Sequence, residues 1–103
     1  MRQRLLLLNL CIFFAAAAYA QNYKVYGEVS NLKLESLAFA SIQVKNSKIG
    51  TISKEDGTYE LLLDDGKYDL VVTMLGYKPQ VIPIIVRKES YLLNIILEED
   101  SQN

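Results

Sequence analysis

Any chemistry in this chain has to come from a short inventory. Its 103 residues include no histidine and a single cysteine, Cys11. The usual general base, thiol nucleophile and zinc ligands are therefore missing from everything after residue 11. Two adjacent carboxylate pairs remain, Glu55-Asp56 and Asp64-Asp65. A glycosidase needs its two carboxyl groups facing each other across a cleft. Sequence neighbours followed by glycine, as in Glu55-Asp56-Gly57 and Asp64-Asp65-Gly66, read instead as turns. There Asp bonds nearby backbone and Gly takes positive φ without steric cost. The alternating oxygen ligands of a calcium loop are absent, and so is a glycine-rich phosphate loop. The expectation is no enzyme, with no catalytic, metal or cofactor-binding residue.

Cys11 belongs to a segment unlike the rest. Arg2 and Arg4 precede an apolar run from Leu5 to Ala18, interrupted by Asn9, and Ala18-Tyr19-Ala20 closes it with small residues. This charge, apolar and small-residue order is that of a secretory signal peptide over residues 1–20, cleaved between Ala20 and Gln21. The run is short of the roughly 20 apolar residues of a spanning helix, and no basic cluster follows it. Cys11 is not a lipidation site: Leu10 precedes it and Ile12, Phe13 and Phe14 continue the apolar run.

Removal of that segment leaves 83 residues without cysteine and with a net charge of −3. Disulfides are then excluded, and stability must come from one hydrophobic core. The mild acidity argues against a nucleic-acid partner, and no amphipathic or polybasic segment suggests a stable membrane attachment after cleavage.

From Tyr23 onward the pattern has period two. Tyr59, Leu61 and Leu63 share one face of a segment, as do Tyr68, Leu70, Val72 and Met74, and later Tyr91, Leu93, Ile95 and Leu97. Such runs read as strands, expected at about 23–30, 39–45, 48–53, 58–63, 67–75, 78–86 and 91–97. Seven short strands with turns every 8–12 residues predict an all-β, seven-stranded Greek-key β-sandwich over residues 21–97, with a polar acidic tail over 98–103. Pro79 and Pro83 cannot donate to a ladder, which makes the sixth strand an edge or a bulged one. Gly27 inside the first strand predicts a bulge or a close approach by an aromatic ring. Gly57 is expected to supply a hairpin turn.

The order of these segments resembles the carboxypeptidase regulatory-like family, a transthyretin-like or prealbumin-like sandwich. The resemblance rests on Val25-Tyr26-Gly27-Glu28-Val29, on Ala38-Phe39-Ala40-Ser41-Ile42-Gln43-Val44, and on Gly50-Thr51 through Asp56-Gly57-Thr58-Tyr59. Gly66-Lys67-Tyr68 and Gly76-Tyr77 complete it, so that it runs from residue 23 to about 97. Two departures fall in loops: Asn31 to Ser36 replaces the usual Gly-containing turn, and Ser53-Lys54 stands where Thr-Asp is usual. The resemblance implies a non-catalytic module, since in the peptidases this domain is accessory to a separate zinc domain. Similar domains precede the plug and barrel of TonB-dependent outer-membrane receptors. The expected role is protein interaction or structural support in the cell envelope, periplasmic or outer-membrane associated. The alternatives are a carbohydrate-binding accessory domain, or the N-terminal extension of such a receptor. A protein partner is expected; a glycan is a weaker candidate because the chain has no tryptophan.

Overall fold

The structure is a computed structural model and describes residues 22–101. The expected signal segment 1–20, its cleavage site at Ala20 and Gln21, and Cys11 lie outside those residues.

Every regular element described is a strand. In chain order they are β1 (Tyr23–Asn31), β2 (Ser41–Val44), β3 (Gly50–Ile52), β4 (Thr58–Leu63), β5 (Gly66–Thr73), β6 (Gln80–Val86), β7 (Tyr91–Leu92) and β8 (Ile95–Leu97). The first sheet has the order β4-β1-β7, with β8 also beside β1; the second has the order β3-β2-β5-β6. β1 is antiparallel to β4 and parallel to both β7 and β8. All neighbours in the second sheet are antiparallel. The all-β sandwich expected from the period-two pattern is thus present.

The inward faces follow the expected parity. On β5, Leu70 and Val72 are fully buried whereas Asp69 and Thr73 are exposed. Tyr59, Leu61 and Leu63 of β4 face the same core, as do Val25 and Val29 of β1 and Ile95 and Leu97 of β8. Tyr68 and Met74 are half-buried at its margin. With residues from both sheets in one cluster, each sheet supplies the apolar surface the other needs.

Three local expectations change. Glu55-Asp56-Gly57 is not a hairpin turn, because β3 and β4 lie in different sheets. Its Gly57, at φ 84°, turns the chain across the edge of the sandwich. Gly27 makes no bulge: a β-carbon there would collide first with the Leu93 carbonyl, and the aromatic residue Tyr59 stands directly across from it with its hydroxyl on that carbonyl. The last strand is divided in two by Leu93 and Asn94. Its register with β1 is the same on both sides, Val25 opposite Tyr91 and Val29 opposite Ile95, so no residue is inserted.

What changes at the division is the bonding. The Leu93 N–H still donates to the Tyr26 carbonyl at 2.8 Å. The Leu93 carbonyl turns over Gly27 and accepts the Tyr59 hydroxyl at 2.6 Å. The Glu28 N–H donates instead to Asn94 Oδ1 at 3.0 Å. A side-chain amide replaces one rung of the ladder, so the Glu28 N–H keeps an acceptor.

Candidate interaction surface

The two carboxylate pairs serve turns at opposite ends of the sandwich. Asp56 Oδ1 accepts the Thr58 hydroxyl at 2.6 Å and the Thr58 N–H at 3.0 Å. The Thr58 hydroxyl bond is the main reason the Asp56 carboxyl is held below its ordinary pKa. Asp64 Oδ1 accepts the Asp65 N–H, and the Asp64 carbonyl accepts the Tyr68 hydroxyl. The structure does not bring the pairs together. Among the described residues no three His, Cys, Asp or Glu side chains are grouped to hold a metal ion.

The sheet edges are the next candidates, since an edge can take up a strand from another chain. β6 is an edge, as Pro83 requires, and Pro79 falls just before the strand. The Asp69 carbonyl accepts the Lys45 N–H. Asp69 therefore bonds away from β6, and Pro83 opposite it aims its missing donor at the free edge. The side chains of Val81, Pro83 and Ile85 form an outward apolar row on this strand. An incoming strand would meet a gap in the middle of its ladder. Between this edge and β7 runs an open groove of about 600 Å³, lined by Pro83–Ile85, Arg87, Glu89 and Tyr91–Leu93 among others. It holds no convergent set of polar groups of the kind that orients a small ligand. The exposed aromatics also fail to form a sugar platform. Tyr26 lies on the first sheet, whereas Phe39 leads into the second.

The most unusual surface lies at the end where β1 and β8 finish, here called the upper end. The segments 32–40, 53–57, 74–79 and 98–101 meet there, tied by the Lys78 N–H to the Glu98 carbonyl and the Asp100 N–H to the Gly76 carbonyl. Four large apolar side chains on these loops face solvent: Leu32 at 69%, Leu34 at 75%, Phe39 at 70% and Leu75 at 98% exposure. Their loops are not slack. Buried Asn31 accepts the Lys33 and Glu35 N–H groups on Oδ1 and donates from Nδ2 to Glu35 Oε1. Buried Ser53 donates to the Leu37 carbonyl at 2.7 Å and accepts the Ala40 N–H at 2.8 Å. These clamps hold Leu34 at φ 63° and Phe39 at φ 67°. For bulky residues that region costs of order 1–3 kcal/mol each and needs surrounding structure to enforce it.

Sequence reasoning did not single out these four side chains. The signal for Leu32 and Leu34 lay in the loop departure Asn31 to Ser36, and Ser53-Lys54 marked the clamp beside Phe39, whereas Leu75 lies in neither departure. The first carries leucines where a turn is usually polar, and both contain a clamping residue.

Comparison with known proteins agrees with this architecture. Residues 25–103 match the CarboxypepD_reg-like domain family. Over 98 residues, 95% of the chain, the sequence is 34% identical to the TonB-dependent receptor SusC of Bacteroides thetaiotaomicron and spans 9% of that protein. The matched part is the receptor's N-terminal region. A type II cohesin–X-dockerin complex from Acetivibrio cellulolyticus aligns with a TM-score of 0.65 and 13% identity, over 75% of this chain and 58% of that one. The 3-chlorocatechol 1,2-dioxygenase of Rhodococcus opacus 1CP aligns with a TM-score of 0.64 and 8% identity, over 80% and 61%. At such identities the two structures share the fold and nothing more.

Proposed function

We propose, from the premise that this chain belongs to the CarboxypepD_reg-like domain family, that it is a non-catalytic interaction module of the cell envelope. The observation that carries the reading is the 34% identity, along nearly the whole chain, to the N-terminal region of a TonB-dependent receptor. The residue inventory supports the same view. One carboxylate of each turn pair, Asp56 and Asp64, accepts backbone or hydroxyl hydrogen bonds, and the sequence supplies no histidine to act as a base. Export would follow from the 1–20 segment, with cleavage between Ala20 and Gln21.

Cells producing the tagged full chain are fractionated, and the recovered protein is weighed intact. Recovery from the envelope starting at Gln21, with no turnover of peptide and glycoside panels, is the expected result. A cytosolic chain retaining residues 1–20 would refute the reading. So would turnover that Asp64→Ala abolishes without unfolding the protein.

A further inference from the structure

The upper end carries two features that a free-standing domain would be better without. Leu32, Leu34, Phe39 and Leu75 are exposed by 69–98%, and soluble surfaces seldom gather large apolar side chains without a partner to cover them. Two of the four, Leu34 and Phe39, sit in left-handed backbone that Asn or Gly would occupy at lower cost. The Asn31 and Ser53 clamps keep both loops in place. Rigid loops that present apolar anchors lose little conformational freedom on association, which is how preorganised interfaces gain affinity. The β2–β5 register places Ser41 opposite Thr73. Counting outward from that pair sets Phe39 and Leu75 on neighbouring loops, while Leu32 shares a pocket with Glu98 and Glu99, whose segment the Asp100 N–H ties to the Gly76 carbonyl beside Leu75.

Charge says what could cover it. Six carboxylates stand on these segments, Glu35, Glu55, Asp56, Glu98, Glu99 and Asp100, against the three lysines Lys33, Lys54 and Lys78. One lysine is already engaged, since Lys78 Nζ lies 3.1 Å from Glu98 Oε1. The loops of the opposite end (45–49, 64–65 and 87–90) have the reverse excess, with Lys45, Lys48, Arg87 and Lys88 against three carboxylates. An apolar surface rimmed by acids repels a like copy of itself and an anionic bilayer, and attracts a basic protein surface.

We infer that the upper end is the docking face of this module, and that its partner is a protein presenting apolar residues flanked by Lys or Arg. This rests on the envelope-interaction reading and adds to it the face and the chemistry of the partner. Leu34 and Phe39 are the anchors, Leu75 extends the contact, and the carboxylates steer it.

Photo-crosslinking separates the inference from the reading beneath it. The full chain is produced in its own cells with p-benzoylphenylalanine at Leu75, or at Ile49 of the opposite end, which is 47% exposed. A protein adduct is expected from position 75 and not from 49, and the sequenced contact peptide is expected to carry Lys or Arg beside apolar residues. Leu34→Asn with Phe39→Asn should cut the adduct at least tenfold. Asn tolerates left-handed backbone, so the thermal midpoint of this variant should be no lower than that of the parent, which separates lost docking from lost folding. Glu55→Lys with Glu99→Lys should weaken the adduct as well. Adducts from position 49 alone would overturn the inference and leave the envelope reading standing. So would an acidic contact peptide, a second copy of this chain as the adduct, or loading of phosphatidylglycerol vesicles by the purified chain. No adduct at either position would remove both.

Discussion

Gly27, Tyr59, Leu93 and Asn94 act as one unit, and each shows how a single residue can be legible in type and illegible in role. A glycine within a strand pattern announces a close approach, and Gly27 has one. Its partner is a carbonyl 66 positions away, which no local spacing can reveal. Gly27→Ala should therefore destabilise by on the order of 3 kcal/mol, the upper end of the usual overpacking cost, because backbone must move. A urea melt of the variant reads this directly. Tyr59 was recognisable as a core residue, yet its hydroxyl also satisfies the diverted Leu93 carbonyl. Tyr59→Phe leaves that acceptor unpaired and should cost about 1–3 kcal/mol. Burial, with neighbouring Tyr91 adding to it, raises the pKa of the Tyr59 hydroxyl in the folded state. The folded form thus holds this proton more tightly than the unfolded chain, whose tyrosines titrate near about 10. The associated stability is complete below about pH 10 and is lost as pH rises beyond it. Melts from pH 9 to 11 should show a shallower decline for Tyr59→Phe than for the parent. Some slope will remain, because the Tyr68 hydroxyl is shifted the same way by burial and then by Asp64 and Asp65.

Among the elements, strand parity was readable because the period-two pattern is set by one buried face. On β5 it leads to a contrast between neighbours. Leu70→Ala should cost about 2–5 kcal/mol, as large-to-small core changes do, whereas Thr73→Ala should stay within about 1 kcal/mol. Denaturant melts of the pair measure this, and equal losses would mean a shifted register. The edge position of β6 was readable too, since proline removes a donor whatever the tertiary context. Which sheet each turn leads to was not. Glu55-Asp56-Gly57 has hairpin chemistry, yet it crosses between sheets. Turn residues fix local φ and ψ, whereas the destination of the next strand depends on core packing far away in sequence. Pro83 has its own consequence at this scale. Pro83→Thr restores the missing donor on an edge whose outward side chains Val81 and Ile85 are apolar. Sedimentation at matched concentration should show more self-association for the variant, with folding stability changed by less than about 1 kcal/mol.

For the molecule as a whole, the class and the family were legible because several weak motifs fall in one order along nearly the entire domain. The upper-end surface was not, since it is assembled from loops whose apolar residues look like ordinary strand content until burial is known. Both sheets contribute to one core, so the domain should unfold in a single cooperative step. Far-ultraviolet circular dichroism and tyrosine fluorescence should give superimposable melts; separated curves would mean that the sheets are independently stable. One further property follows from β1 lying parallel to β7 and β8. A chain so arranged enters the domain at one end and leaves it at the other. Tension applied between Tyr23 and Leu97 would then slide β1 past its two parallel neighbours, loading their bonds together and not one after another. A pull between those two residues would therefore load this ladder in shear.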